Sequence, residues 1–506
     1  MTKPDAWRGG VWSDKPSARY AVVMLPLLLI GAITYPAYAG SFGCYLLFHV
    51  SFIAMVLLTL PAPRSHAYVF FSLMLFLGFW SKLIFHLLYS TSYLEPIGNF
   101  SGKSAEWDRA LGVASAAAIG VSIARVVQLA QTARVRSWIA VSHASVPAWY
   151  RAWRRTTWSA SMLAMLALNL LNFQVAFYQA GVNPTLVLPL HLNVPLGWLI
   201  NIGFAFWLAV LIQWEFRTAP GNLAAALFAP IIEGVVSSTS ALSRSIYIMH
   251  TVPYFFALGN QWTSARAALS RRMRVSLMVL WALCFAMSLG LASWLRMHIY
   301  FLAYEPAVMT IPAQKQIPST PIPGAATATG EITPLAKQGA INEIGLLIIQ
   351  RWVGLEGVLA VSSYPNLGFE LFSEALRTKP KIGNTSIYQV ISKSRYESSE
   401  RFSFATLPGI VAILFYSSSL AVVVAGMMLA TLLMMGTEFA ALRYTANPFL
   451  ASMMALGMAN VACQVQFPYL AAIFIAQLWV TIAFVWLISA KPSLFWRRRS
   501  PANPSV

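Results

Sequence analysis

Apolar residues come in runs of about 20 along most of the chain, with short polar segments between them. A helix of that length crosses the roughly 30 Å hydrocarbon core of a bilayer. The pattern predicts an all-α polytopic membrane protein, with spans at 20–40, 42–61, 68–89, 110–130, 157–178, 196–214, 222–240, 246–263, 275–296, 409–435, 448–463 and 468–489. Treating 222–263 as one re-entrant or interfacial hairpin gives ten spans instead of twelve. Either number puts the two termini on the same side.

Charge distribution predicts the orientation of these spans. Only 10% of the residues are charged, against about 25% in soluble domains. The net charge of +19 comes from basic residues in short loops, so it favours membrane orientation over nucleic-acid binding. With a cytoplasmic N-terminus, twenty Lys and Arg residues fall in cytoplasmic pieces and three in short external loops. We therefore expect both termini in the cytoplasm and no nucleic-acid partner.

The same pattern divides the chain into regions. We expect the first apolar run to stay as a span, because it is too long for a signal peptide. Acidic residues concentrate in one external loop, which holds eight of the 16 Asp and Glu residues. The predicted regions are a cytoplasmic N-terminus (1–19), an N-terminal bundle of about nine spans (20–296), a large external loop (297–402) with a Pro-rich linker (311–336) and an ordered functional part (339–402), C-terminal spans (403–489) and a basic cytoplasmic tail (490–506).

The ordered part of the loop contains the most informative stretch, GAINEIGLLIIQRWVGLEGVLAVSSYPNLGFELFSEALRTK, at 339–379. It is too polar for a free-standing span, because Glu343, Arg351 and Glu356 interrupt it, and too apolar for a free loop. We expect a re-entrant or interfacial helix that dips into the outer membrane surface. Arg351 would then lie at the level of a lipid-linked phosphate, and Trp352 could stack on a sugar. The alternative is an amphipathic helix that caps the bundle, with Arg351 paired to a nearby Glu.

Further arginines follow in the same loop. Arg377, Arg395 and Arg401 lie in its most basic part, together with three lysines. A guanidinium binds phosphate through two parallel hydrogen bonds and keeps its charge. These residues are candidate ligands of a diphosphate. A solvated loop surface is the alternative for each of them taken singly.

A few charged residues fall inside the predicted spans or beside them. Lys82 and His86 lie four positions apart, on one helix face. Lys82 and Arg125 could snorkel to the nearest interface or contribute to a binding cavity. Glu233 is a functional or ion-pair candidate, because a buried carboxylate in a membrane is costly. His191, in the loop before 196–214, is a candidate for glycan binding, with a structural role as the alternative.

The sequence contains no motif for a cofactor. The three cysteines, all within apolar runs, and the histidines show no zinc-ligand spacing, and no Gly-rich phosphate loop is present. We expect no metal and no cofactor.

Two blocks of the chain carry a family resemblance. The stretch Arg351-Trp352-Val353-Gly354-Leu355-Glu356-Gly357 and the stretch FATLPGIVAILFYSSS at 404–419 accompany ten to twelve spans and one dominant late external loop. In these features the chain resembles the Wzy-type oligosaccharide-repeat-unit polymerases of bacterial surface-polysaccharide pathways, which are related to the WaaL-type O-antigen ligases.

The resemblance implies metal-independent glycosyl transfer at the periplasmic face of the bacterial inner membrane. The implied substrate is an oligosaccharide on undecaprenyl diphosphate, with membrane lipids and a polysaccharide chain-length regulator as candidate partners. Arg351 and the other loop arginines would stabilise the departing diphosphate, and Glu356 would lie near the acceptor hydroxyl. Three alternatives stay open: a ligase, a lipid-linked oligosaccharide flippase or other transporter, and a structural subunit of a secretion complex.

Overall fold

The computed structural model confirms the all-α polytopic architecture. It describes residues 16–91, 93, 95–140, 146–184, 186, 188–260, 269–303, 352–380, 385–394 and 407–490. Throughout these ranges the regular structure is helical, and no β-strand occurs. Nine helices in the described ranges are long and apolar enough to cross a membrane, and Phe42–Leu57 and Pro448–Cys463 are shorter apolar helices.

The N-terminal bundle contains thirteen helices, and two of its spans are interrupted by π-helical turns. The π-helical turns are Phe76–Ser81, between α3 and α4, and Leu199–Gly203, between α9 and α10. The helices are α1 (Pro16–Thr34), α2 (Phe42–Leu57), α3 (His66–Leu75), α4 (Lys82–Tyr89), α5 (Ser104–Ala130), α6 (Thr132–Ala140), α7 (Ala148–Ala152), α8 (Arg154–Val175), α9 (Asn193–Trp198), α10 (Phe204–Thr218), α11 (Leu223–Ser240), α12 (Arg244–Asn260) and α13 (Arg271–Ala303).

Seven more helices follow after the linker. Three belong to the predicted external loop, and four form the C-terminal part. They are α14 (Leu355–Ser362), α15 (Phe369–Arg377), α16 (Ile387–Ser392), α17 (Gly409–Phe415), α18 (Leu420–Thr445), α19 (Pro448–Cys463) and α20 (Pro468–Ala490).

One predicted span differs from the structure. The segment 409–435 is not one helix, because the chain leaves the helical path at Ser417 and Ser418, and Ser418 has a φ of 61°. The Ser419 hydroxyl then accepts a hydrogen bond from the Val422 amide and caps α18. Serine hydroxyls compete with the helical backbone for hydrogen bonds, which explains a break that apolar periodicity alone does not predict.

Helix α5 lies at the centre of the bundle and packs against α2 and α18. It is rich in small residues, and Gly120 lies so close to α18 that a Cβ there would be 2.4 Å from the Val424 carbonyl oxygen. Small residues allow such close packing of membrane helices. By contrast, α1, α8, α13 and α20 have less than a fifth of their apolar windows buried. These four helices form the apolar outer surface.

Candidate functional site

Helix α14, from the predicted external loop, is inserted into the bundle. All eight of its residues are buried, and it packs against α5, α16 and α17. Six of its eight residues are apolar or glycine, so most of its surface favours such an environment. Of the stretch at 339–379, the structure describes residues 352–379, and there α14 is buried inside the protein. The helix begins at Leu355, and Glu356 lies in its first turn.

Glycines permit the close approach of α14 to the π-helical turn at Phe76–Ser81. A Cβ on Gly78 would lie 2.2 Å from the Val353 carbonyl oxygen, and one on Gly354 would lie 2.7 Å from the Gly78 oxygen. On the other side of α14, a Cβ on Gly357 would lie 2.3 Å from the Pro408 oxygen. The backbone therefore fits only if these three positions have no side chain.

The approach brings Glu356 into contact with Lys82, the first residue after the π-helical turn. The Lys82 Nζ donates to both Glu356 carboxylate oxygens, at 2.7 and 2.6 Å. Both side chains are buried, with 5% and 4% of their surfaces exposed. Burying a charge is costly unless it is paired, so the Lys82 ammonium group and the Glu356 carboxylate each offset the cost of burying the other. The ion pair connects the 297–402 loop to a membrane span.

His86 and Tyr93 lie on the same side of the bundle as this ion pair. The His86 and Tyr93 rings stack at 4.4 Å, and Trp107 lies 6.0 Å from His86. The His86 Nδ1 and the Tyr93 hydroxyl are buried, and neither has a hydrogen-bond partner within the described ranges. Buried polar atoms in native proteins are usually satisfied, so two adjacent exceptions are suited to binding a polar ligand.

Two tyrosine hydroxyls near Glu356 are held in the protonated state. Burial raises the pKa of Tyr93, and the negative charge of Glu356 raises it further. The pKa of Tyr388, on α16, is also raised, first by burial and then by Tyr416, Glu356 and Glu95. Both phenols are therefore hydrogen-bond donors at physiological pH. We refer to Lys82, His86, Tyr93, Glu356 and Tyr388 as the loop-insertion site.

Of the remaining loop residues predicted from the sequence, the structure describes Trp352 and Arg377. Trp352 is half-buried and lies two residues before Gly354, at the entrance to α14. Arg377 is exposed in the last turn of α15, which packs against α17 and α20. Arg351, Arg395 and Arg401 lie outside the described residues, as does the side chain of His191.

Arg125 does not belong to the loop-insertion site. Its guanidinium is fully buried and donates to the carbonyl oxygens of Leu58, Pro61 and Pro63, at 3.1, 2.7 and 3.0 Å. It therefore neither snorkels nor binds a diphosphate here, but holds the turn that precedes α3. Lys82 follows the start of α3 by 16 residues, which corresponds to about 24 Å of helix.

The same turn is held by a second buried charge. Glu438, on α18, accepts hydrogen bonds from the Ser65 hydroxyl and from the backbone amides of His66 and Ala67. A carboxylate at a helix N-terminus satisfies amides that have no partner within the helix. Glu438 thus caps α3, and this end of the bundle is built for stability.

A second buried ion pair joins α11 to α12. Glu233, a candidate from the sequence, is fully buried against His250, whose Nδ1 lies 2.9 and 2.8 Å from the two carboxylate oxygens. Sequence reasoning missed His250, and also missed Tyr93 and Tyr388. No local spacing identifies them, because helix packing and not sequence distance brings these side chains to their partners.

No group of three or more His, Cys, Asp or Glu side chains in the described ranges is arranged to hold a metal ion. Comparison of the chain with protein-family models, with curated proteins and with solved structures finds no match.

Proposed function

We propose that this protein is a polysaccharide polymerase that joins oligosaccharide repeat units carried on undecaprenyl diphosphate. The observation that carries the proposal is the buried Lys82–Glu356 ion pair between a membrane span and the inserted loop helix. The pair supplies a cation and a carboxylate at one place. Glycosyl transfer from a lipid diphosphate uses both, a cation for the leaving group and a base for the acceptor hydroxyl.

In the proposed reaction, a hydroxyl of the acceptor attacks the anomeric carbon of the donor sugar. A new carbon–oxygen bond forms, the bond from that carbon to the diphosphate oxygen breaks, and the lipid diphosphate leaves with the electron pair. Glu356 takes the proton of the hydroxyl. Lys82, together with Arg351 and the arginines at 377, 395 and 401, offsets the charge of the departing diphosphate.

Substrate binding has to open the ion pair for this chemistry to proceed. In the structure the Lys82 ammonium group occupies the carboxylate, because Nζ donates to both Glu356 oxygens at 2.7 and 2.6 Å. An incoming diphosphate competes for Lys82 and frees Glu356. His86 and Tyr93 then offer the sugar or the phosphate a ring nitrogen and a hydroxyl without other partners in the described ranges.

The charge distribution supports the placement of the reaction. The excess of Lys and Arg in alternate short loops favours cytoplasmic termini, and with that orientation the 297–402 loop would lie on the periplasmic side of a bacterial inner membrane. Lipid-linked repeat units would reach the loop-insertion site from that side.

A deletion strain tests the proposed function directly. We expect the deletion to leave single repeat units on the lipid carrier, and complementation with the wild type to restore long chains. Arg351→Ala should fail to restore them at equal membrane levels. Single units that do not reach the outer face would instead indicate a flippase, and long chains that stay on the carrier would indicate a ligase.

One observation favours transport as a second candidate. The Glu233–His250 pair is buried between α11 and α12 and is connected to other polar side chains by hydrogen bonds. Ionisable residues inside membrane helices are a feature of ion-coupled transporters. The deletion experiment separates this candidate from the polymerase.

A further inference from the structure

The Glu233–His250 pair holds a proton whose position follows from the hydrogen bonds around it. The His250 Nε2 lies 2.7 Å from the carbonyl oxygen of Asn201, which belongs to the π-helical turn Leu199–Gly203. A carbonyl oxygen only accepts, so Nε2 carries a hydrogen. The other ring nitrogen, Nδ1, faces both oxygens of Glu233 at 2.9 and 2.8 Å.

One further proton is required between Nδ1 and the carboxylate. Without it, the lone pair of an imidazole nitrogen would face a carboxylate in a fully buried environment, where unpaired charge is most costly. With it, the two residues form a unit of zero net charge. This proton links α11 to α12. The separate hydrogen bond from His250 Nε2 to the Asn201 carbonyl oxygen links α12 to the π-helical turn.

A row of hydrogen-bonded polar side chains leads away from the pair. The Ser237 hydroxyl donates to Glu233 Oε1 at 2.7 Å and accepts from the Asn169 amide at 3.3 Å. The Ser240 hydroxyl donates to Asn169 Oδ1 at 2.5 Å, and the Asn172 amide donates to the Ser240 carbonyl oxygen at 3.0 Å. Asn169, Asn172, Ser237 and Ser240 are all buried.

The row ends at the chain turn that follows α8. Asn172 both donates to the carbonyl oxygen of Tyr178 and accepts from its amide, each at 2.8 Å. Ser240 is the last residue of α11, and Asn172 lies in the last turn of α8. The row therefore runs from the interior to the ends of two neighbouring helices.

Few other titratable or charged groups approach the pair from the elements packed against α11. Tyr254, on α12, interacts electrostatically with Glu233, and its hydroxyl donates to the Ala205 carbonyl oxygen. Tyr247 on α12 and Cys284 on α13 lie between the same helices, and the Tyr247 hydroxyl donates to the Trp281 carbonyl oxygen. On α10 the charged residues are Glu215 and Arg217, at its C-terminal end, and on α8 they are Arg154 and Arg155, at its N-terminus.

We infer that Glu233 and His250 form a proton-binding site that holds one shared proton, and that Ser237, Asn169, Ser240 and Asn172 hold Glu233 in place through their hydrogen bonds. The ligand of this site is a proton. The site is separate from the loop-insertion site and does not depend on the proposed polymerase function.

Hydrogen–deuterium exchange, followed by infrared spectroscopy of the purified full-length protein, tests this inference. Transfer of the wild type into deuterated buffer should shift a set of imidazole and carboxyl bands. These bands should be lost from the spectra of both Glu233→Gln and His250→Gln. Two variants are used so that failure of one to fold does not prevent the assignment.

The position of the carboxyl band tests the contacts of the pair. Ser237→Ala should shift the Glu233 carboxyl band, because it removes the hydroxyl that contacts Glu233. Ser115→Ala is the matched control, since Ser115 is a buried helical serine on α5 whose hydroxyl donates to the Leu111 carbonyl oxygen of its own helix. Failure of Glu233→Gln and His250→Gln to remove the same bands, or equal band positions in Ser237→Ala and Ser115→Ala, would overturn the inference.

Discussion

Both of the fully buried ion pairs in the described part of the chain involve a π-helical turn, but their surroundings differ in hydrogen bonding. Lys82 directly follows one π-helical turn, and His250 bonds to a carbonyl oxygen of the other. Around Glu233 and His250, the carboxylate and both ring nitrogens are hydrogen-bonded. Around Lys82 and Glu356, two neighbouring polar atoms have no partner in the described part of the chain.

This difference in hydrogen bonding indicates two roles for buried charged residues, helix packing and ligand binding. A fully bonded network fixes the packing of its helices and leaves a ligand nothing to replace. An incompletely bonded cluster retains donors and acceptors that gain from a bound molecule. We therefore propose ligand binding at the loop-insertion site, and helix linkage through a shared proton at the Glu233–His250 pair.

The largest expected effect comes from removing one member of the loop-insertion pair. Glu356→Ala leaves Lys82 buried without its carboxylate, which should lower the free energy of unfolding by about 3–5 kcal/mol. The combined variant Lys82→Met with Glu356→Leu should recover most of this loss while remaining inactive. Thermal unfolding in detergent measures both. A double variant no more stable than Glu356→Ala would show that the lost stability does not come from removing the carboxylate opposite Lys82.

The next largest effect is expected at the glycine contacts of α14. Gly78→Ala places a methyl group against the Val353 carbonyl oxygen, so α14 has to move, at a cost of about 1–3 kcal/mol. Chain elongation should fall with it. Gly112→Ala on α5 is the matched control, because no atom lies within 4 Å of its added Cβ. Equal unfolding temperatures for the two variants would contradict the close approach.

At the opposite end of α3, a smaller and purely structural effect is expected. Glu438→Gln weakens the cap on α3 and should lower stability by about 1–2 kcal/mol. The length of the polysaccharide made by the variant should stay as in the wild type. Shortened chains at normal membrane levels would indicate that this end takes part in the reaction.

The smallest effect on stability is expected at the exposed arginine of α15. Arg377→Ala should change the free energy of unfolding by less than about 0.5 kcal/mol, because its side chain is exposed. Binding of the lipid diphosphate should weaken, and weaken most at low salt, where exposed charges are least screened. Affinity equal to the wild type at low salt would remove Arg377 from the binding surface.

The sequence predicts the spans better than it predicts their contacts. Runs of about 20 apolar residues indicate membrane helices, because the bilayer sets the length that each helix needs. The break at Ser417 and Ser418 is a local hydrogen-bonding effect inside an apolar run, which hydropathy does not register. The position of α14 inside the bundle also depends on packing, since it requires Gly78 and Gly354 to meet from distant parts of the chain.

For the residues of the two buried pairs as well, the sequence predicts some positions but not the contacts between them. Lys82, Glu233 and Glu356 are identifiable from the sequence, because charge in an apolar segment is unusual. Their partners are not: Lys82 and Glu356 are 274 positions apart, and His250 has no feature that distinguishes it from a structural histidine. Arg125 shows the opposite error, since its charge suggested a ligand but it bonds to backbone carbonyl oxygens.

The most direct test makes the same substitution in both pairs. Glu356→Gln and Glu233→Gln would be reconstituted in vesicles with a lipid-diphosphate-linked oligosaccharide, and the rate of chain elongation measured at matched amounts of folded protein. Removing a general base slows a reaction about 100-fold or more, so Glu356→Gln should lose at least that much, while Glu233→Gln stays within a few fold of the wild type. Equal losses, or full activity of Glu356→Gln, would contradict the assignment of the reaction to the loop-insertion site.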